Sequence, residues 1–175
     1  MFPQKVPDAA FHTRVRIPDQ GVENPFEWQK LTADDLFKKK SVVFFALPGA
    51  FTPACSESHL PGYEHFYDAF IAEGIDDVIC SAVNDAFVMF QWAKAQNIQR
   101  VSMLPDGNGE FARKMGMLVD RSAQGMGMRS WRYSMLVENR EIIKFFAEPG
   151  LCDNPAGVPM TVSSAETMLD YLRQR

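Results

Sequence analysis

Residues 42–55 read Val-Val-Phe-Phe-Ala-Leu-Pro-Gly-Ala-Phe-Thr-Pro-Ala-Cys and join an apolar run to a turn that ends in a cysteine. The apolar run, 42–47, is short and is followed by turn residues, so it predicts a buried strand. Beyond the turn, apolar residues recur with helical spacing. Cys55 is therefore expected at the start of a helix, where backbone amides without partners and the helix dipole favour a thiolate, the nucleophilic form of cysteine.

The same stretch carries the spacing Pro-x-x-x-Thr-x-x-Cys, which is met by Pro48, Thr52 and Cys55. This spacing resembles the active-site signature of the peroxiredoxins, thiol peroxidases built on a thioredoxin-like fold. The longer string at 48–56, Pro-Gly-Ala-Phe-Thr-Pro-Ala-Cys-Ser, is similar to the type 5, or type II, branch of that family. The resemblance implies that Cys55 is the nucleophile, that Thr52 bonds the thiolate and the incoming peroxide, and that Pro48 shields the thiolate.

The residues by themselves leave structural roles open at each of these positions. A free cysteine is usually a small buried hydrophobe. Thr52 could cap the helix that follows, and Pro48 could serve only the turn. The place of Cys55 at a strand-to-helix turn, between polar Thr52 and Ser56, favours the nucleophile.

Arg132 is the second candidate for chemistry, because it sits in the otherwise apolar stretch Trp-Arg-Tyr-Ser-Met at 131–135. A charge buried in a strand is costly unless it is paired, and a thiolate would be a suitable partner. A carboxylate at the end of the strand is the alternative partner. The stretch resembles the Arg-x-Ser-Met segment of the same branch, which implies that Arg132 stabilises the thiolate and orients the peroxide. Arg129 is expected at the surface.

The composition is typical of one soluble globular domain over residues 1–175. Hydrophobic residues make up 46% of the chain and the net charge is -4, which argues against non-specific nucleic-acid binding. The sequence shows neither a secretory signal nor an apolar run long enough to span a membrane. Its three cysteines are too widely spaced for a disulfide framework or a zinc site, so a reducing cytoplasm is expected.

The remaining patterns predict a layered α/β fold. Strands are expected at 11–17, 42–47, 77–83, 101–104, 131–137 and 142–147. Helices are expected at 33–37, 56–74 with a kink near Pro61, 86–96 and 110–115, and after Ser163 or Ser164 with Glu166 completing a capping box. Alternating strands and helices followed by an antiparallel hairpin indicate a mixed central sheet with helices on both faces. The family resemblance narrows this class to the thioredoxin-like fold.

Once a peroxide has oxidised Cys55, a thiol must reduce it. The sequence leaves open whether that thiol belongs to this chain or to another molecule. Cys80 lies in an apolar run and is expected to pack in the core, although some members of the branch carry a cysteine on the same strand. Cys152 lies in a loop rich in proline and glycine, the general region of the resolving cysteine in some relatives. An external thiol, glutathione or a glutaredoxin, is favoured, and thioredoxin acting through an internal disulfide is the alternative. Some relatives carry a fused glutaredoxin domain with a Cys-Pro-x-Cys motif, which is absent here, so we expect a separate reductant, as in bacterial members of the glutathione- or glutaredoxin-dependent type.

A homodimer is expected, because several segments resemble the loops that form the dimer face in this branch. The residues of this predicted face are Phe51, Phe87, Met89 and Met117. Ordinary burial in the core or in a loop is the alternative for each of them.

No metal or other cofactor is expected. His12, His59 and His65 do not form a ligand set with the cysteines or acids, and we interpret all three as structural or surface residues, although His59 is close enough along the helix to feel the charge of Cys55. Two other functions use the same thiol. A thioredoxin-like disulfide oxidoreductase needs a second cysteine near the first, but Thr52 and Ser58 stand at those positions. A redox sensor would pass the oxidation of Cys55 to a partner without turnover.

Overall fold

The structure is a computed structural model that describes residues 3–17 and 26–175 of the chain. Its strands are β1 (Ala10–Arg16), β2 (Phe26–Thr32), β3 (Ser41–Ala46), β4 (Asp77–Ala82), β5 (Ser102–Pro105), β6 (Leu118–Asp120), β7 (Met128–Ser130), β8 (Tyr133–Glu138) and β9 (Glu141–Ala147). Its helices are α1 (Ala33–Phe37), α2 (Leu60–His65), α3 (Tyr67–Ala72), α4 (Ala86–Ala95), α5 (Glu110–Lys114) and α6 (Ala165–Arg173), with a π-helical turn at Cys55–His59 and a 3-10 turn at Ser122–Gln124. Within the two described ranges, no helix combines the length and apolarity needed to cross a membrane.

The centre of the fold is a five-stranded mixed sheet with the order β5-β4-β3-β8-β9. Strand β3 pairs in parallel with β4, which pairs in parallel with β5, whereas β8 runs antiparallel to both β3 and β9. The apolar run of β3 lies between two partner strands, and all of its residues after Ser41 are buried. The predicted mixed sheet is therefore confirmed, with the cysteine loop leaving the end of its central strand.

Both faces of this sheet are covered, because the side chains of β3 alternate between two apolar clusters. Val43 and Phe45 pack in a cluster with residues of α2, α3, α4 and α6. Val42 and Phe44 pack in a second cluster with residues of β1, α1 and α5. The prediction of helices on both faces is confirmed.

Three strands were not predicted from the sequence. Strand β2 pairs with β1 along seven residue pairs, but most of its side chains are exposed and give no alternating apolar signal. Strands β6 and β7 form a hairpin of three residue pairs, which is too short for a periodic pattern to show. This hairpin matters for the site, since its tip borders the cysteine loop.

The helix predicted after Cys55 is irregular. It begins as a π turn in which the amide of Leu60 donates to the carbonyl of Cys55, and α2 follows at once. Pro61 has no amide hydrogen and would crowd an ordinary helical turn before it, so the wider π turn accommodates the ring. The sequence predicted a kink near Pro61, and the structure shows a π turn directly before this residue. A second interruption at Phe66 separates α2 from α3.

The last helix begins after Ser164, whose hydroxyl accepts a hydrogen bond from the amide of Thr167. Glu166 is the second residue of this helix, one position too early to complete a capping box with Ser164. The predicted helix is therefore confirmed, but its predicted capping box is wrong.

Candidate active site

The cysteine loop is tied to the end of the neighbouring strand. The amide of Leu47 donates to the carbonyl of Ser81 over 3.2 Å, and the amide of Ala50 donates to Oδ1 of Asn84 over 3.0 Å. Beyond the loop, Nε1 of buried Trp92 donates to Oγ of Ser56 over 3.0 Å. These anchors fix the backbone on both sides of Cys55, whose side chain is 1% exposed.

The register of the sheet brings Arg132 to Cys55. Ala46, the last residue of β3, pairs with Tyr133, the first residue of β8, so the loop after β3 and the residue before β8 meet at one edge of the sheet. Nη2 of Arg132 lies 3.5 Å from Sγ of Cys55 and donates to it. Arg132 is 2% exposed and forms no ion pair with any carboxylate of the described ranges. A thiolate at Cys55 therefore supplies the negative charge that a buried guanidinium needs.

His59 is the third member of this cluster, and its buried ring bridges Arg132 to the loop before α6. Nη1 of Arg132 lies 2.9 Å from Nδ1 of His59, and Nε2 of His59 lies 3.0 Å from the carbonyl oxygen of Ser163. Burial of the ring and the charge of Arg132 lower the pKa of His59 to about 3. The ring is thus neutral at physiological pH, with Nδ1 accepting from Arg132 and Nε2 donating to Ser163.

The sequence suggested a structural or surface residue at His59, and the structure places its buried ring against Arg132. Its position four residues after Cys55 was the available signal, because residues at that spacing share one face of a helix. His12 and His65 are exposed, as expected. Among the described residues, no group of histidines, cysteines and acids is arranged to hold a metal ion.

Glu148 holds the loop that positions His59. Its buried carboxylate accepts hydrogen bonds from the amides of Thr161, Val162 and Ser163 and from two hydroxyls. Burial alone would raise the pKa of Glu148, but the hydrogen bonds from Thr161, Val162 and Ser163 lower it to about 2. The backbone amide of Glu148 also donates to the carbonyl of Arg132 over 3.1 Å. Glu148 therefore holds the backbone of Arg132 through its own amide, and it holds the loop that positions His59 through its carboxylate.

Thr52 and Pro48 line a cleft of about 400 Å³ together with Arg132. The hydroxyl of Thr52 donates to the carbonyl of Gly49 over 2.8 Å, which leaves its oxygen lone pairs free to accept. The carbonyl of Thr52 accepts from the amide of Ser56 over 3.0 Å, so the threonine also supports the first turn after the loop. The cleft therefore brings together Thr52, Pro48 and Arg132, whereas Cys55 lies beneath its surface. A larger depression of about 560 Å³, lined by residues of β1, β2, α1 and α5, contains no cysteine.

Arg132 has donors left for a ligand. Its Nε is buried and has no hydrogen-bond partner among the described residues. Since Nη1 and Nη2 each carry two N–H groups and each has one partner, these atoms also retain a donor. The guanidinium can thus hold a sulfur and an oxygen at the same time.

The other two cysteines differ in access. Cys80 is fully buried in β4, and burial together with the nearby Cys55 raises the pKa of its thiol well above the ordinary value. This placement agrees with the prediction of core packing. Cys152 is exposed in the loop between β9 and α6. Neither residue lines the cleft, and all three cysteines are free thiols.

The predicted dimer face is only partly exposed. Phe51 is 56% exposed and Phe87 is 43% exposed, whereas Met89 and Met117 are each 1% exposed. Met89 packs on one side of the central sheet and Met117 on the other, so their side chains offer no surface to a partner. The prediction that Met89 and Met117 belong to the dimer face is therefore wrong. Phe51 has a positive φ of 61°, a strained value for a phenylalanine.

Comparisons with known proteins agree with this geometry. The family model described as Redoxin matches residues 5–169. A peroxiredoxin of Synechocystis sp. is 54% identical over 173 residues, covering 99% of this chain and 92% of that protein. The crystal structure of a Plasmodium falciparum antioxidant protein, described as a 1-Cys peroxiredoxin, superposes with a TM-score of 0.90 at 35% identity and 98% coverage of both chains. Reduced Prx3 of Vibrio vulnificus in complex with hydrogen peroxide superposes with a TM-score of 0.83 at 35% identity, again over 98% of both chains.

Proposed function

The chain belongs to the redoxin family and is a peroxiredoxin, a thiol peroxidase, and from that premise we propose that it reduces hydrogen peroxide and organic hydroperoxides through Cys55. One observation carries this assignment of the nucleophile. The buried guanidinium of Arg132 lies 3.5 Å from Cys55 Sγ and has no carboxylate partner among the described residues. The complex of Vibrio vulnificus Prx3 with hydrogen peroxide supports hydrogen peroxide as a substrate.

In the proposed reaction, the Cys55 thiolate attacks the terminal oxygen of the hydroperoxide in line with the O–O bond. The S–O bond forms as the O–O bond breaks, and Cys55 is oxidised to a sulfenic acid. The leaving oxygen takes a proton from solvent, which replaces the one that the Cys55 thiol released on ionising, and departs as water or an alcohol. The free donors of Arg132 stabilise the charge that moves onto this oxygen, and the Thr52 hydroxyl accepts from the peroxide hydrogen. Pro48 keeps water away from the sulfur.

We propose that an external thiol, glutathione or a glutaredoxin, reduces the sulfenic acid. The first thiol condenses with it, releasing water and forming a mixed disulfide, and a second thiol resolves that disulfide. The burial of Cys80 and the absence of both Cys80 and Cys152 from the lining of the cleft support an external source. The similarity to the Plasmodium falciparum 1-Cys peroxiredoxin is consistent with it. Thioredoxin acting through a disulfide with Cys152 is the alternative.

The test is peroxide consumption with glutathione plus glutaredoxin and, separately, with thioredoxin, using the wild type and each cysteine variant. Cys55→Ser is expected to abolish consumption in both assays, and Thr52→Val to slow it by orders of magnitude without unfolding. Cys80→Ser and Cys152→Ser should retain turnover with glutathione and glutaredoxin. Loss of that turnover in Cys152→Ser would reject the external thiol. Consumption by Cys55→Ser at the wild-type rate would reject the nucleophile.

We also propose a homodimer, a single domain over residues 1–175 and a cytoplasmic location. Phe51 and Phe87 support the dimer, because both are exposed and the loop of Phe51 is tied to Asn84, just before α4. Phe87 packs edge-on against Phe26 and Trp28, so the exposed aromatic surface extends onto β2. Sedimentation of wild type and Phe87→Glu at micromolar concentration tests the dimer. A monomeric wild type in both reduced and oxidised forms would contradict it.

A further inference from the structure

The cleft above Cys55 carries a second positive charge that the reaction at the sulfur does not use. Arg121 lies at the tip of the β6–β7 hairpin and lines the cleft together with Arg132. Its amide donates to the carbonyl of Gly127 over 2.8 Å, and its carbonyl accepts from the amide of Met126 over 3.1 Å. These bonds close the hairpin tip and fix the backbone from which the Arg121 side chain reaches the cleft.

Arg121 lacks a carboxylate partner of the kind that several other arginines of this protein have. Arg100 pairs with Glu64, Arg140 with Asp34, and Arg175 with Glu138. No carboxylate in the described ranges lies within ion-pair distance of Arg121, whose Nε makes only a long bond of 3.5 Å to Oε1 of Gln124. Asp120, which precedes Arg121 in the sequence, accepts a hydrogen bond at Oδ1 from the amide of Ser122.

A third arginine, Arg129, adds positive charge beside the cleft. Half-buried Arg129 lies beside the cysteine loop, because a side chain at Gly49 would come within 2.8 Å of its Nη1. Burial and the positive charge of Arg121 lower the pKa of Arg129. Among residues 3–17 and 26–175, no acidic side chain lines the cleft. Arg121, Arg129 and Arg132 thus lie at or beside the cleft of a chain whose net charge is -4.

Apart from the two arginines and the hydroxyl of Thr52, the described lining is apolar. It is formed by Pro48, Pro53 and Ala54 of the cysteine loop, by Met126, and by residues 156–158. A concave site with apolar walls and a few fixed polar groups suits a small organic molecule. Arginine without a protein partner is suited to a carboxylate, which its planar fork can bind through two hydrogen bonds.

We propose that Arg121 is a recognition residue for small organic ligands that carry a carboxylate, bound with their reacting end toward Cys55. The inference rests on the proposed function, because the reacting end is either a hydroperoxide that oxidises Cys55 or a thiol that reduces its sulfenic acid. Arg121 takes no part in breaking bonds. It raises the rate for a carboxylate-bearing ligand and leaves hydrogen peroxide, which has no carboxylate, unaffected.

The test compares acids with their esters in two arms. In the first arm, Cys55 is oxidised by hydrogen peroxide, by linoleic acid hydroperoxide below its micellar concentration, and by the methyl ester of that hydroperoxide. In the second arm, the sulfenic acid is reduced by glutathione and by its diethyl ester. Each rate is measured by stopped flow for wild type, Arg121→Gln, Arg121→Lys and Arg113→Gln. Arg113→Gln is the matched control, since it removes the same charge from an exposed residue of α5 outside the cleft.

Arg121→Gln is expected to lower the rate with the acid about tenfold in at least one arm, as for loss of a charged hydrogen bond, with the ester and hydrogen peroxide unchanged. Arg121→Lys should recover part of the loss, and Arg113→Gln should lose nothing. The arm that responds identifies the ligand as hydroperoxide or thiol. Equal effects on acid and ester, or none in either arm, would overturn the proposal. A wild type that hydrogen peroxide fails to oxidise would overturn the proposed function itself, and this inference with it.

Discussion

Arg132 and His59 are joined by a hydrogen bond of 2.9 Å between Nη1 of the guanidinium and Nδ1 of a neutral imidazole. The arrangement is uncommon for a buried arginine, whose usual partner is a carboxylate. A neutral partner orients the guanidinium without cancelling its charge. The charge of Arg132 is therefore left for the sulfur of Cys55, which it contacts through its other terminal nitrogen.

Replacing His59 is expected to slow peroxide reduction because Arg132 would lose this support. His59→Leu removes the acceptor, so the guanidinium can turn away from Cys55, and a misplacement of this kind can lower the rate up to about 100-fold. His59→Gln keeps an acceptor and a donor and should recover much of the rate. The measurement is the second-order rate of Cys55 oxidation by hydrogen peroxide. Exposed His65→Leu is the control, and an unchanged rate in His59→Leu would show that Arg132 is held by other contacts.

The same histidine makes the protein sensitive to acid. The pKa of His59 is about 3 in the fold against an ordinary 6.5, so between these values the unfolded chain binds a proton that the folded chain excludes. Stability should therefore fall as the pH drops from 6.5 toward 3. Urea unfolding midpoints between pH 7 and pH 4.5 measure this slope, since Glu148 contributes only below its ordinary pKa of 4.5. His59→Gln should flatten the slope over that range, whereas His65→Gln should leave it unchanged; equal slopes in all three proteins would contradict the assignment.

Several parts of this site follow from the sequence. Pro48, Thr52 and Cys55 lie in one continuous motif, so their proximity needs no knowledge of the fold. Arg132 is distant along the chain, but a charge in an apolar strand is a visible signal. The sheet register of Ala46 and Tyr133 supplies what the sequence could not, namely the contact between Arg132 and the cysteine loop.

Other features of the site could not be predicted, because they depend on contacts between residues that are distant in the sequence. Glu148 follows an apolar strand and looks like an ordinary loop residue, because its partners at 161–163 are brought to it only by folding. Met89 and Met117 were predicted at a surface because their segments resemble known interface loops. Resemblance of a segment does not say which of its side chains point inward, and both of these pack in the core.

Glu148→Gln is expected to destabilise the protein and slow the reaction together. An amide has one acceptor oxygen in place of two, so it cannot satisfy the amides and hydroxyls of residues 161–163, and buried donors without partners cost roughly 2 kcal/mol of unfolding free energy. The loosened loop would also release His59 from the Ser163 carbonyl. The measurements are urea unfolding and the rate of Cys55 oxidation.

Exposed Glu141→Gln is the matched control for this change, because its long ion pair of 3.9 Å with Lys5 contributes at most about 1 kcal/mol. Glu148→Gln with full stability and full rate would mean that the loop is held without the carboxylate. Loss of stability with an unchanged rate would confine Glu148 to a structural role.

Arg132→Met is expected to lower the rate of Cys55 oxidation far more than it lowers the stability of the fold. The methionine fills a similar volume and removes the buried charge, but it leaves Nδ1 of His59 without a donor, and a buried acceptor without a partner costs roughly 2 kcal/mol of unfolding free energy. The free energy of unfolding of reduced protein should therefore fall by no more than about 2 kcal/mol, while the rate of Cys55 oxidation falls by orders of magnitude. Arg132→Lys should recover little, because one ammonium cannot contact both Cys55 Sγ and His59 Nδ1 as the guanidinium fork does. Arg113→Met is the surface control for both measurements. A near-normal rate in Arg132→Met would remove the guanidinium from the reaction, and a large loss of stability would show that its main role is to hold the core together.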